Sequence, residues 1–346
     1  MDTIDNEVMK TMKTMRTIRI IRTNLKALQK QSTDKLHKLR IEIKKDIPQE
    51  YIKYVHEELG NSKYTLDSVP NYLKKCDLYI NISLYNIKIH VLLNSRQFVP
   101  ILLLKRVIKR LYIIAKIHSI TKDIVYWFLP IEDKRYFPTQ GIQVSPDSIN
   151  GAYTYPTKNE VFIYRFEDFA KVMMHELLHH SVIESGSVWK DTHIQNFKHY
   201  FNISSGTAVL PNESLVEIWA TYYQLLFVSI EYCIPFKFLY AKECEWAVLQ
   251  SRRLLKHQKT LNSKEIWAEK TNSFTYIILK TIFLVNLKEF LNIPLPYNTD
   301  TLYTFIMNRI NGKSLYSFGD LKKNNGVERG DAGAAMSMRI SLFGDL

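Results

Sequence analysis

"SPDSINGAYTYPTKNEVFIYRFEDFAKVMMHELLHH", residues 145–180, is the stretch whose reading decides the fold of this chain. Residues 149–155 (INGAYTY) and 160–165 (EVFIYR) are rich in aromatic and β-branched side chains, and the PTKN between them is turn chemistry, so a β-hairpin is expected. A helix follows directly, with Glu167 and Asp168 expected in its first turn, where negative charge suits the helix dipole. Residues 184–211 read as polar and irregular, and a second helix opens at PNESLVEIWATYYQLLF, residues 211–227, with Asn212 as its expected N-cap.

Within this passage, HELLH places His175 and His179 four residues apart, so on a helix both imidazoles leave one face and can share a cation. Glu176 sits at the edge of that face, where a carboxylate can act as general base toward water acidified by zinc. Five of the ten histidines (His175, His179, His180, His193, His199) fall within twenty-five residues, which a helix carrying His and Glu by accident would not explain. His180, one step past His179, points about 100° away and is expected beside the site or on the surface rather than as a ligand.

A catalytic zinc takes three protein ligands and keeps one position open, so one ligand remains to be found. Glu213 opens the second helix, and Glu217 follows one turn later on the same face, where it can accept the N–H of a ligand histidine. The bland account of both is an acidic first turn that suits the helix dipole. His193, in WKDTHIQNF, is the rival third ligand. For an oxyanion-stabilising donor the sequence offers Tyr200, Tyr222, Tyr223, His199 and His257 and does not choose among them.

HELLH followed by NESLVE resembles the gluzincin, thermolysin-like metallopeptidases, whose pattern is H-E-x-x-H on one helix and N-E-x-x-x-D on a later one. The resemblance covers residues 149–224 and implies a zincin-like catalytic domain that hydrolyses protein or peptide substrates. By it His175, His179 and Glu213 bind Zn2+, Glu176 is the base, and Glu217 stands where the family has an aspartate supporting a ligand. It also implies an edge strand upstream that pairs with extended peptide, and INGAYTY occupies that place. A second resemblance, of HELLH and DTHIQNF to the SprT and Spartan proteases of DNA-associated protein, implies His193 as third ligand instead. Against it, that family's glycine after the third histidine is Ile194 here. The reading from a different class is a binding protein in which zinc only holds helices together.

Working outward, the chain carries a net charge of +13, and most of the excess is N-terminal: residues 8–45 hold twelve Lys or Arg against Asp34 and Glu42. There Met9, Met12, Met15, Ile18 and Ile21 recur every third residue with a basic residue one step behind each, the pattern of a basic amphipathic helix. Its stripe can pack on the domain, or meet nucleic acid, an anionic membrane surface or an acidic partner. Residues 78–93 read as one or two strands, and residues 99–118 as a helix with Lys105, Lys109 and Lys116 outward. The apolar run 274–287 is too short for a membrane span and carries Lys280, so it reads as a core helix.

Toward the end, six of the eleven glycines lie in 312–346, and FGDL occurs twice, at 318–321 and 343–346, which reads as a mobile extension with a repeat that could dock. The expected fold is α+β and mainly helical, in four segments: a basic helical arm (1–46), a small mixed α/β lobe (47–133), the zincin-like domain (134–311), and a flexible Gly-rich tail (312–346). Three scattered cysteines exclude a disulfide framework or a Cys-based zinc cluster, and the polar N-terminus lacks an apolar signal region. An intracellular protein that is not secreted, without a transmembrane segment, is the expectation.

Overall fold

A computed structural model describes residues 38–62, 65–97, 100–185, 187–261, 266–310 and 337–346. Residues 8–37 of the basic arm and the first FGDL copy lie outside them. The fold is α+β, built on one mixed six-stranded sheet in the order β1-β2-β3-β4-β6-β5. Its strands are β1 (Arg40–Lys44), β2 (Leu78–Leu84), β3 (Ile87–Leu93), β4 (Ile124–Phe128), β5 (Ala152–Tyr155) and β6 (Glu160–Ile163). β1, β2 and β3 run antiparallel, β4 is parallel to both β3 and β6, and β5 closes the far edge antiparallel to β6.

Two helices, α1 (Gln49–Gly60) and α2 (Val69–Leu73), precede β2, and α3 (Ile101–Ile117) makes the crossover that the parallel β3–β4 pair requires. After β4 come α4 (Pro146–Ile149), then the β5–β6 hairpin, then α5 (Phe169–Leu178), α6 (Val182–Ser185), α7 (Asp191–Tyr200), α8 (Pro211–Glu231) and α9 (Phe236–Gln258). A π-helical turn, Phe274–Leu279, runs into α10 (Lys280–Val285), followed by α11 (Leu287–Phe290) and α12 (Thr299–Ile310).

The period of two along each strand separates two cores. On β3, Ile87, Ile89, Val91 and Leu93 enter the larger core while Leu92 enters the smaller; on β4, Tyr126 and Phe128 take one side and Trp127 the other. The smaller core is closed by Val55 and Leu59 of α1 with Val69 and Leu73 of α2. The larger one is covered by α3, α5, α8 and the C-terminal helices, so the sheet is sandwiched between a thin and a thick helical layer. α5 follows the hairpin and is buried all round, the pattern of a central helix.

Several details differ from the sequence reading. The boundary expected at residue 133 falls inside the sheet, because β4 and β6 pair directly: the lobe and the later segment share one sheet. Residues 40–44 of the expected helical arm form edge strand β1, because the alternating RIEIK pairs along β2. Residues 184–211 contain α7, whose His193 and Phe197 face inward one turn apart. Asp168 precedes α5 in a left-handed conformation (φ 63°). It and Glu167 pair with the buried guanidinium of Arg135 rather than serving the helix dipole from the first turn. α8 starts at Pro211 with Leu210 before it, and the Asn212 side chain instead bonds Trp189 Nε1 (2.7 Å) and Ser187 O (3.0 Å).

Two further expectations concern burial and mobility. The apolar run at 274–287 is split into the π-helical turn and α10, with Lys280 buried against Glu243. No helix among the described residues is long and apolar enough to cross a membrane. In the tail expected to be flexible, residues 337–346 are packed into the fold: Met338 and Ser341 are fully buried. The second FGDL copy docks on its own chain, with Phe343 packed beside Leu225, Val228 and Leu239 and its backbone and Asp345 bonded to Gln224, Lys171 and Asp168.

Candidate metal centre

α5 carries His175 and His179 one turn apart, as the spacing requires, and α8 crosses it to bring Glu213 alongside. His175 Nε2 and His179 Nε2 are 3.2 Å apart, and Glu213 Oε2 lies 3.4 Å from the first and 3.6 Å from the second. Tetrahedral bonds of about 2.0–2.1 Å put neighbouring ligand atoms about 3.3–3.4 Å apart, so these separations fit a zinc-sized ion.

Hydrogen bonding behind the rings fixes what they present to one another. His175 Nδ1 lies 2.9 Å from Glu217 Oε2, and His179 Nδ1 lies 2.6 Å from Glu184 Oε2. An ionised carboxylate only accepts, so in the neutral ring each Nδ1 carries the hydrogen and each Nε2 is left with a lone pair. Glu213 Oε2, the third atom, is buried without a hydrogen-bond partner. With both rings neutral, three acceptors face one another with no donor among them, an arrangement that a cation relieves, whether a proton or a metal ion.

Electrostatics point the same way. Burial alone would depress the His175 pKa, but Glu213, Glu217 and Glu176 outweigh it and push it up to about 10. His179 is raised as well, mainly by Glu213 against its own burial. Glu217 is drawn down to about 2, since Lys171 and His175 overcome its desolvation. A proton is thus the competitor that a metal ion would have to displace at this site.

Glu176 lies beside the three donors and is itself buried, 6% exposed. Desolvation raises its pKa, partly opposed by His175 and His179.

Three residues that the sequence reading passed over complete the centre. Lys171, one turn before His175 on the same stripe, is buried and ion-paired to Glu217 Oε1, so the Glu217 carboxylate bridges a lysine and a candidate ligand histidine. A 171/175/179 spacing of four is visible in the sequence and is the signal that could have flagged it. Glu184 reaches His179 only because the chain turns sharply after α5, and nothing local signals that. Tyr276, from the π-helical turn, sets its ring edge-on to His175 (centroids 5.9 Å apart) and its hydroxyl toward Glu213, whose pKa it helps to lower. π-Helical turns recur at functional sites.

The other candidates lie elsewhere. His193 is not brought to the cluster: its ring stacks on Tyr303 (4.4 Å) and its Nε2 faces Asp300 Oδ1 at 3.0 Å. His180 turns away as expected, its Nε2 3.0 Å from Thr154 Oγ1 on β5. Of the five oxyanion candidates, Tyr200, Tyr223 and His257 are engaged with Ile310 O, His118 and Ile142 O. The Tyr222 hydroxyl is buried without a partner. Among the described residues the only grouping of three or more His, Cys, Asp or Glu placed to hold a metal is His175, His179 and Glu213. No protein-family model, curated protein or solved structure matches the chain.

Proposed function

We propose that this chain is a zinc-dependent metallopeptidase of the gluzincin kind, with His175, His179 and Glu213 holding the ion and Glu176 as general base. The observation that carries the reading is the meeting of three ligand-type atoms at tetrahedral-edge separations, with the buried Glu176 carboxylate beside them. Zinc supplies Lewis acidity, polarising a carbonyl and acidifying water. Glu176 takes a proton from the attacking water as the C–O bond forms and hands it to the departing amine as the C–N bond breaks. Its raised proton affinity suits both halves of that exchange. Glu217 and Glu184 hold the two imidazoles in one tautomer and orientation. Tyr276, edge-on to His175, is the side chain assigned to steady a developing oxyanion.

The sheet supports a peptide as substrate. β5 is the terminal strand, bonded to β6 on one side only, and its other edge can accept an extended chain. The SprT-like alternative loses its ligand, since His193 is held by Tyr303 and Asp300. A purified sample loaded with zinc and offered a mixed peptide library, with cleavage read by mass spectrometry, tests the proposal. Glu176→Gln should keep its zinc and lose hydrolysis by at least about a hundredfold. Equal cleavage by Glu176→Gln and wild type refutes the mechanism, and a wild type that holds zinc but cleaves nothing leaves a metal that only braces α5 against α8.

A further inference from the structure

Residues 337–346 bond to both helices that carry the three candidate ligands and to the helix that follows the Tyr276 turn. On α5, Gly344 O accepts from the backbone N–H of Lys171 (3.3 Å), Asp345 accepts from the backbone N–H of Asp168, and Arg339 Nη2 reaches Asp168 Oδ1 at 2.6 Å. The residue before α5 gives it no side-chain cap, so the remote segment satisfies an N–H in the helix's first turn. On α8, which bears Glu213 and Glu217, Gln224 Nε2 donates to Phe343 O at 2.7 Å. On α10, continuous with the turn that bears Tyr276, Lys280 Nζ donates to Ile340 O at 2.9 Å.

These contacts satisfy buried charges. Glu243 of α9 is fully buried, and its Oε2 accepts from Leu342 N (2.9 Å) and Ser341 Oγ (3.1 Å), while its Oε1 pairs with Lys280. Without the segment, Glu243, Lys280 and Asp168 each lose partners inside the protein, which is costly wherever a charge stays buried. Gly344 is required by proximity: any Cβ there would collide with the Asp168 carboxylate.

We propose that residues 337–346 act as a positioning clasp for the metal centre, fixing α5, α8 and α10 relative to one another so that His175, His179 and Glu213 converge. Its role at the centre rests on the metal reading above, but the clasp can be tested separately. None of its residues touches the three donors, so its effect passes through Asp168, Gln224 and Lys280. Ten residues at the end of a glycine-rich tail thereby set the geometry of ligands more than a hundred positions earlier.

The test uses full-length Gly344→Val, which must displace the segment, and Arg339→Ala, which removes only a partly exposed guanidinium. In metal-free protein, diethylpyrocarbonate modification is followed residue by residue at His175 and His179, with the equally buried His193 as internal reference. The clasp predicts that Gly344→Val raises the rates at His175 and His179 at least about tenfold with His193 unchanged, that Arg339→Ala does so more weakly, and that zinc affinity falls about ten- to a hundredfold. Unchanged rates overturn the proposal, and so does a parallel rise at all three histidines, which would mean general loosening. If wild type binds no zinc, the metal reading fails while the histidine rates still decide the clasp.

Discussion

Replacing Lys171 by methionine should destabilise the metal-free protein by about 3 kcal/mol, toward the lower end of the roughly 3–5 kcal/mol that follows removal of one partner from a buried ion pair. The value follows from the surroundings of Glu217. Both side chains are almost fully buried, at 1% and 2% exposure, so the Lys171→Met variant would leave a carboxylate that water cannot reach. His175 Nδ1, at 2.9 Å, still donates to the other oxygen, which keeps the cost from the upper end of the range. The variant matters for function too, since a Glu217 without Lys171 keeps only its bond to His175 and holds that ring less firmly. Urea unfolding of the chelator-treated protein measures the cost, and the Lys171→Met/Glu217→Gln double variant checks its origin. The glutamine amide introduced at that position carries no charge and can still accept from His175, so the double variant should recover about 1–2 kcal/mol relative to Lys171→Met. A Lys171→Met cost below about 1 kcal/mol, or a double variant no more stable than Lys171→Met, would refute the account of a desolvated pair.

Zinc content separates the two candidate third ligands: wild type should hold about one zinc per chain, Glu213→Ala should lose it, and His193→Ala should keep it, as read by plasma mass spectrometry after gel filtration. Loss from His193→Ala alone would contradict the geometry. A pH effect should come from His90, buried and stacked on Trp127, whose pKa burial lowers from 6.5 to about 4. Because the folded-state value is depressed, His90 contributes its full stability above the unfolded pKa. That contribution fades as pH falls, by about 2 kcal/mol near pH 5 and about 3 kcal/mol near pH 4. His90→Phe should remove that part of the acid sensitivity in urea titrations at neutral and acidic pH, and an unchanged pH profile would exclude His90 as its source.

What can be read along the chain is what a single segment's periodicity governs. The 3.6-residue turn places His175 and His179 on one face whatever surrounds them, and the alternation of 152–155 and 160–163 around a turn makes a hairpin by itself. Glu213 and Glu217 are one turn apart on α8 for the same local reason. The crossing of α8 over α5 is a matter of packing between surfaces. That crossing chooses Glu213 over His193, since both are suitable donors by type and only one is carried to the rings.

The residues that complete the centre belong to the same class. Glu184 depends on a chain reversal, Tyr276 on a π-helical turn about a hundred residues downstream, and Lys171 on a carboxylate from another helix. Sheet order is equally nonlocal: composition changes near residue 133 and suggests a boundary there, yet β4 and β6 pair across it. Residues 337–346 show the limit most plainly. The glycine content of 312–346 reads as mobility, yet residues 337–346 are half apolar, and Met338 and Ile340 enter the larger core. Their order comes also from Glu243, Lys280, Asp168 and Lys171, buried groups of other elements whose unmet hydrogen bonds only the tertiary structure brings within reach.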